Sequence, residues 1–146
     1  EFRRVLFRSA FFLKKKQVWR KIRNWGKLPG MHELPVTEQI LKIVLKHAQL
    51  NGVARVSAIG LQIGRLSDLE DEWIQRYFDY LSKGTAAEGA KLKIERMPIV
   101  IRCGDCRANY EIETAQISDL TCPHCGGKDG ELVSGREYFI KDMEVQ

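Results

Sequence analysis

Residues 103–125 read CGDCRANYEIETAQISDLTCPHC and hold all four cysteines of the chain. They fall into two pairs, Cys103-Gly104-Asp105-Cys106 and Cys122-Pro123-His124-Cys125, with residues 107–121 between them. Each C-x-x-C turn brings two sulfurs to one point. Four thiolates brought together make a closed tetrahedral metal site, and a gap of this length falls within the range expected for zinc. Gly104, Gly126 and Gly127 allow backbone amides to fold around the sulfurs. The segment is poor in large apolar residues, so burial alone cannot fold it. Metal binding supplies the missing free energy, on the order of 10 kcal/mol in small zinc peptides.

Other readings of four cysteines fit less well. A disulfide framework needs an oxidising compartment, and no secretory signal is legible. A thioredoxin-like pair needs one C-x-x-C opening a helix, not two matched pairs. A rubredoxin-type iron site uses the same four ligands, and spacing leaves it open. Zn(II) is the expected metal, with Cys103, Cys106, Cys122 and Cys125 as ligands. His124 lies between two ligands and reads as an exposed turn residue. Four sulfurs leave no position for water, so this metal is structural.

Outward from the cysteines, the apolar pattern changes period. Ile40, Ile43, Val44 and Ala48 recur at three- and four-residue spacings, which predicts a helix over 36–50. Pro35, Thr37 and Glu38 suit its first turn, and Asn51-Gly52 its end. Ile59, Leu61 and Ile63 alternate, which predicts a strand over 53–63. Ser67 or Asp68 can cap a second helix, with Asp68, Glu70, Asp71 and Glu72 near its positive end. Leu69, Trp73, Ile74, Tyr77, Phe78 and Leu81 form its apolar face, and Gly84 ends it. A second strand is expected over 90–102 and a last one over 136–145, with Tyr138, Ile140 and Met143 inward. His47, in mid-helix, reads as a packed or exposed histidine.

The class is α+β. Two helices cover one face of a small, mostly antiparallel three-stranded sheet, and a four-cysteine zinc ribbon is inserted. The expected domains are 31–102 with 134–146 for the α/β part and 103–133 for the ribbon.

The charge is unevenly placed. The chain of 146 residues carries +5, yet residues 1–30 hold ten Lys or Arg against one acid, +9, and residues 31–146 hold 14 against 18, −4. The basic character belongs to the leader. Its longest apolar run, Ala10-Phe11-Phe12-Leu13, is too short for a signal peptide or a membrane span. Val18, Trp19, Ile22 and Trp25 would share one face of a basic amphipathic helix. Composition shifts sharply after Leu28-Pro29-Gly30. The expectation is that Met31 is the natural start and that 1–30 is an extension, disordered or helical, set aside from the fold.

That start has a chemical consequence. With Met31 first, its α-amine, the amide nitrogens of His32 and Glu33, and the His32 imidazole all reach one ion. Fused chelate rings with four nitrogens favour a square plane, which suits Ni(II) or Cu(II). With 1–30 attached, the amine is lost.

Several stretches together resemble the HypA/HybF family of hydrogenase nickel-incorporation proteins. They are Met31-His32-Glu33-Leu34, Gly64-Arg65-Leu66-Ser67, Thr85-Ala86-Ala87-Glu88-Gly89-Ala90, Ile94-Glu95, the two C-x-x-C pairs and Gly135-Arg136-Glu137. The resemblance runs through 31–146 and none of 1–30. It implies a nickel metallochaperone that carries Ni(II) as transient cargo and a structural Zn(II). It implies His32 as principal nickel ligand, Glu33 through its backbone amide with further side-chain contacts, and Met31 through its amine. It also implies delivery to the large subunit of [NiFe] hydrogenase with a HypB-type GTPase, in the cytoplasm; the reading admits a homodimer.

A rival reading is a zinc ribbon that binds nucleic acid or protein without nickel transfer. Nucleic acid would require basic and aromatic residues around the cysteines. Residues 103–130 offer Arg107, Lys128 and Tyr110 against Asp105, Glu111, Glu113, Asp119 and Asp129, and four thiolates on zinc add about −2. No nucleic acid is expected, nor a membrane for 31–146. An enzyme is not expected either, since no nucleophile elbow, phosphate loop or open metal site is present.

Overall fold

A computed structural model describes residues 3–6 and 33–146. Met31 and His32 lie outside the described residues, as does the predicted amphipathic helix of the leader. The elements run β1 (Arg3–Leu6), α1 (Glu33–Leu50), β2 (Val56–Gly64), α2 (Asp71–Leu81), β3 (Lys91–Met97), β4 (Ile99–Cys103), β5 (Asn109–Ile112), β6 (Gly130–Ser134) and β7 (Tyr138–Val145). One sheet has the order β1-β7-β2-β3, the other β5-β4-β6. The described residues divide into two compact units: residues 3–6, 33–61, 68–94 and 139–146, and residues 62–67 with 95–138. The second unit is wider than the expected ribbon of 103–133.

In the first unit, α1 begins at Glu33, three residues ahead of the predicted start. Pro35 falls in the first turn, where a missing N–H costs nothing. The Thr37 hydroxyl is buried and donates to the Glu33 carbonyl at 2.6 Å. Ile40, Leu41, Val44 and Ala48 are buried, as the period requires, with Ile43 half-buried. α1 packs against α2, whose Ile74 and Phe78 are fully buried. α2 starts at Asp71 rather than at Ser67 or Asp68. Its N-cap is Glu70, whose side chain makes no cap.

β2 is an inner strand, between β7 and β3, and is buried along most of its length. It pairs antiparallel with the end of the chain: Arg55 and Gln146 exchange both backbone hydrogen bonds, at 2.8 and 3.4 Å. In β7 the alternation breaks, and Asp142 and Met143 are both buried, while Ile140 is only half-buried. The cause is Gly60: a Cβ there would run into Asp142 Oδ1, so the glycine makes room for the carboxylate.

Two expectations are corrected. Four residues of the leader, expected to be disordered or helical, form β1 against β7, with Arg3 opposite Val145 and Leu6 opposite Asp142. Arg4 faces Asp142 at 3.4 Å and Glu144 at 3.5 Å. An open strand edge presents unpaired amides and carbonyls that take up an extended segment, and here basic meets acidic. This sheet therefore has four strands, not three. The second correction concerns 90–102, expected as one strand. Pro98 cannot donate to a ladder, and the chain changes sheet there: β3 ends at Met97 and β4 begins the other sheet at Ile99.

In the second unit β4 is the central strand, antiparallel to β5 and to β6, with a register irregularity at Val100/Ile101. Ile99, Ile101, Cys103, Tyr110, Ile112 and Cys122 form its core, with Leu66, Leu120 and Leu132 against it. Two of the four cysteines are thus part of the apolar core.

Candidate metal centre

The four cysteine sulfurs converge, all within 4.8 Å of one another. Cys103 and Cys125 stand 3.5 Å apart, and Cys106 and Cys122 3.7 Å apart. A tetrahedron with metal–sulfur bonds of about 2.3 Å has edges of about 3.8 Å. The spacing fits an ion held by four thiolates. Cys103 and Cys122 are buried, while Cys106 and Cys125 are exposed.

The two turns share one backbone design. Cys103 N–H donates to Ala108 O at 2.9 Å and Cys122 N–H to Gly127 O at 2.8 Å. Arg107 N–H donates to Cys103 O at 3.1 Å and Gly126 N–H to Cys122 O at 2.9 Å. Backbone amides also point at sulfur: Asp105 to Cys103, His124 to Cys122 and Gly127 to Cys125, each at 3.4 Å. Amides aimed at sulfur favour the thiolate. Tyr110, buried in the ribbon core, donates from its hydroxyl to Leu120 O at 2.5 Å and so ties β5 to the stretch leading into Cys122.

The thiols do not titrate alike. The Cys106 and Asp105 amides pull Cys103 down from 9.0 to about 7, against its burial. At Cys125 the Gly127 amide favours the thiolate, yet the Cys103 sulfur and burial push the thiol up to about 12. Negative sulfurs cannot crowd together without a cation, so burial and the Cys103 sulfur push Cys106 up as well as Cys125. A divalent ion removes that conflict. His124 is exposed and contributes its amide rather than a ring nitrogen among the described contacts.

Glu33 lies in the first turn of α1 with its carboxylate buried, accepting the Glu70 amide at 3.2 Å. The spacing of residues 33 and 70 carries no trace of this contact, and sequence reasoning missed it. His47 is half-buried on α1. Two further motifs meet in the second unit. Gly64 N–H donates to Glu137 O and Leu66 N–H to Gly135 O, both at 2.8 Å. The Glu137 carboxylate accepts the Gly135 amide at 2.8 Å. The Thr85–Ala90 stretch closes on itself: the Thr85 hydroxyl donates to Ser82 O at 2.6 Å and accepts the Ala87 amide at 3.2 Å. Ala87 and Ala90 are fully buried, which explains its small residues.

Fold and site together define a small α+β protein with a ribbon whose four cysteines are placed to hold a metal ion. A family profile described as hydrogenase/urease nickel incorporation, metallochaperone, hypA matches residues 31–145. The chain belongs to that family. It is 36% identical over 115 residues to the hydrogenase maturation factor HypA of Dehalococcoides mccartyi, covering 79% of this chain and 94% of that one. It is 35% identical over 116 residues to the hydrogenase maturation factor HybF of Salmonella typhimurium, covering 80% and 100%. The fold is shared with a solution structure of a HypA protein, at a TM-score of 0.63 and 20% identity over 80% of this chain and 97% of that one. Among the described residues, no helix is long and apolar enough to cross a membrane.

Proposed function

We propose that this chain is a nickel metallochaperone that takes up Ni(II) at Met31-His32-Glu33 and delivers it to the large subunit of [NiFe] hydrogenase. The family match over 31–145, with the M-H-E stretch at its head, carries this reading. The His32 imidazole and the amide nitrogens of His32 and Glu33 supply three donors, and the Met31 amine completes a square plane when that amine is free. A terminal chelate is open to invasion by a partner's ligands, so the ion can be handed on. Release to a HypB-type GTPase or to the hydrogenase subunit is ligand exchange and needs no catalytic residue.

Zinc is the metal we assign to Cys103, Cys106, Cys122 and Cys125. Its coordination shell is full, so it supports the ribbon and activates no water. Reduced, metal-bound cysteines suit the cytoplasm. The acidic residues around the ribbon weigh against nucleic acid as a partner.

The test is a nickel titration of the full chain, of a chain beginning at Met31, and of each with His32→Ala. The expected order of affinity is Met31-terminated above full chain, with H32A weakest in both. Equal nickel binding with and without His32 overturns the proposal.

A further inference from the structure

β1, at Arg3–Leu6, lies outside the family match, which begins at residue 31. With the order β1-β7-β2-β3, the rim of the matched part of this sheet is therefore β7. A strand of eight residues at a rim is a template for an extended chain. Natural sheets guard such rims with inward-pointing charge, and β7 carries one. Asp142 is buried; its Oδ1 lies against Gly60, and its Oδ2 meets Arg4 Nε at 3.4 Å. A strand laid over this edge without a cation would seal that carboxylate from water with no partner, which is costly. The edge thus rejects purely apolar strands and admits basic ones.

β1 shows what fits. It pairs antiparallel, with Arg4 opposite Glu144, Val5 opposite Met143 and Leu6 opposite Asp142. The Arg4 guanidinium reaches both acids, the one directly across and the one on the diagonal. Opposed and diagonal side chains are the contacts by which strands select one another. Glu144 also accepts Lys93 Nζ at 2.6 Å, from β3 on the far side of β2. Lys93, and after it Arg4, hold its carboxyl below the usual carboxylate range. We propose that the outer edge of β7 is a strand-addition site for an extended basic segment of a partner protein, selected by Asp142 and Glu144, and that Arg3–Leu6 occupies it in this chain. Backbone hydrogen bonds supply the affinity. The two carboxylates demand Arg or Lys at one position of the incoming strand. Arg3–Leu6 competes from within the same chain, a tethered plug that a partner must displace. The site does not depend on which metals the chain carries.

The test uses the full chain, unaltered and with Arg4→Glu, and a synthetic peptide of residues 1–8 as the probe. Like charges directly opposite one another destabilise a strand pair. R4E is therefore expected to free the edge, so that the β7 amides facing β1 exchange faster than in the unaltered chain. Added to R4E, the peptide is expected to shift those amides in the NMR spectrum and to restore their protection. The unaltered chain, with its edge filled, should bind the peptide at least about tenfold more weakly. A second peptide that carries Arg4→Glu should bind neither chain at β7.

A peptide that leaves the freed β7 amides unshifted overturns the proposal. So does equal binding of the two peptides, since the acids would then select nothing. Should R4E leave β7 protected, Val5→Pro takes its place, because proline cannot donate to a ladder. Protection that survives V5P as well means that the edge cannot be vacated, which also overturns it. An unaltered chain that is a dimer by light scattering, and a monomer as R4E, makes the occupant a second copy of this chain and overturns the assignment to a different protein.

Discussion

Arg107 and Gly126 hold the same place in the two cysteine turns, four residues after Cys103 and Cys122, and both have left-handed backbone, with φ of 62° and 75°. Arg107 is the only non-glycine residue with positive φ among the described residues. The turn requires that conformation because the amide at this position must reach back to the first cysteine's carbonyl. One turn uses the residue suited to it and the other does not. A Cβ at Gly126 would touch nothing within 4 Å, so the backbone alone sets the cost of replacing it. Gly126→Ala is expected to destabilise the ribbon by about 1 kcal/mol. Arg107→Gly should relieve a similar strain, offset by less than about 1 kcal/mol of extra chain entropy. Competition for zinc against a chromophoric chelator checks both, and tighter zinc binding in G126A would contradict the account.

Removing the metal should unfold one unit and spare the other. The ribbon core counts two of the proposed ligands, Cys103 and Cys122, among its six buried residues, whereas α1 and α2 carry their own core. Cys106→Ser, or a strong chelator, is expected to collapse the amide spectrum of β4, β5 and β6. The signals of α1 and α2 should persist. A spectrum unchanged throughout would show that the ribbon folds without metal.

The metal-free thiols make a pH prediction. Cys103 is held down from 9.0 to about 7 by backbone amides. A depressed group adds stability above its unfolded value, and that stability is lost as pH falls from about 9 through about 7. Cys125, raised from 9.0 to about 12, works in the opposite sense: its contribution is whole below about 9 and is lost as pH rises toward about 12. Thiolate absorbance of the metal-free protein should therefore appear in a first step near pH 7 that Cys103→Ser abolishes. A single step near pH 9 would refute the assignment. Zinc affinity should drop below about pH 7, where protons compete for the sulfurs.

Gly60 and Asp142 offer a packing test in the other unit. Gly60→Ala places a methyl group on Asp142 Oδ1, on a carboxylate that is only 7% exposed. Overpacking of this kind costs about 1–3 kcal/mol. Thermal unfolding should show the loss, and Asp142→Ala in the same chain should recover part of it, since the two sites share one space. Additive losses would mean that the two sites do not compete for one space.

Much of this protein was legible in its residues. The doubled C-x-x-C spacing placed the four-cysteine cluster, because a C-x-x-C turn brings its two sulfurs together whatever surrounds it. The helical period over Ile40, Val44 and Ala48 and over Ile74 and Phe78 marked α1 and α2, because local spacing sets which side chains share a face. The stretch from Ala90 to Arg102 reads as one strand, since period and composition say nothing about which partner a strand will find. Its division at Pro98 into β3 and β4, in different sheets, was settled by pairing across the chain. The same holds for Arg3–Leu6, whose place beside β7 follows from an open edge and from Asp142 and Glu144 more than 130 residues away. Glu33 is the sharpest case. Its sequence position marks it as a neighbour of His32, the histidine proposed to take up nickel. Only the packing of α1 on α2 turns its carboxylate inward onto the Glu70 amide, because a buried charge goes where a donor and two helix ends can hold it.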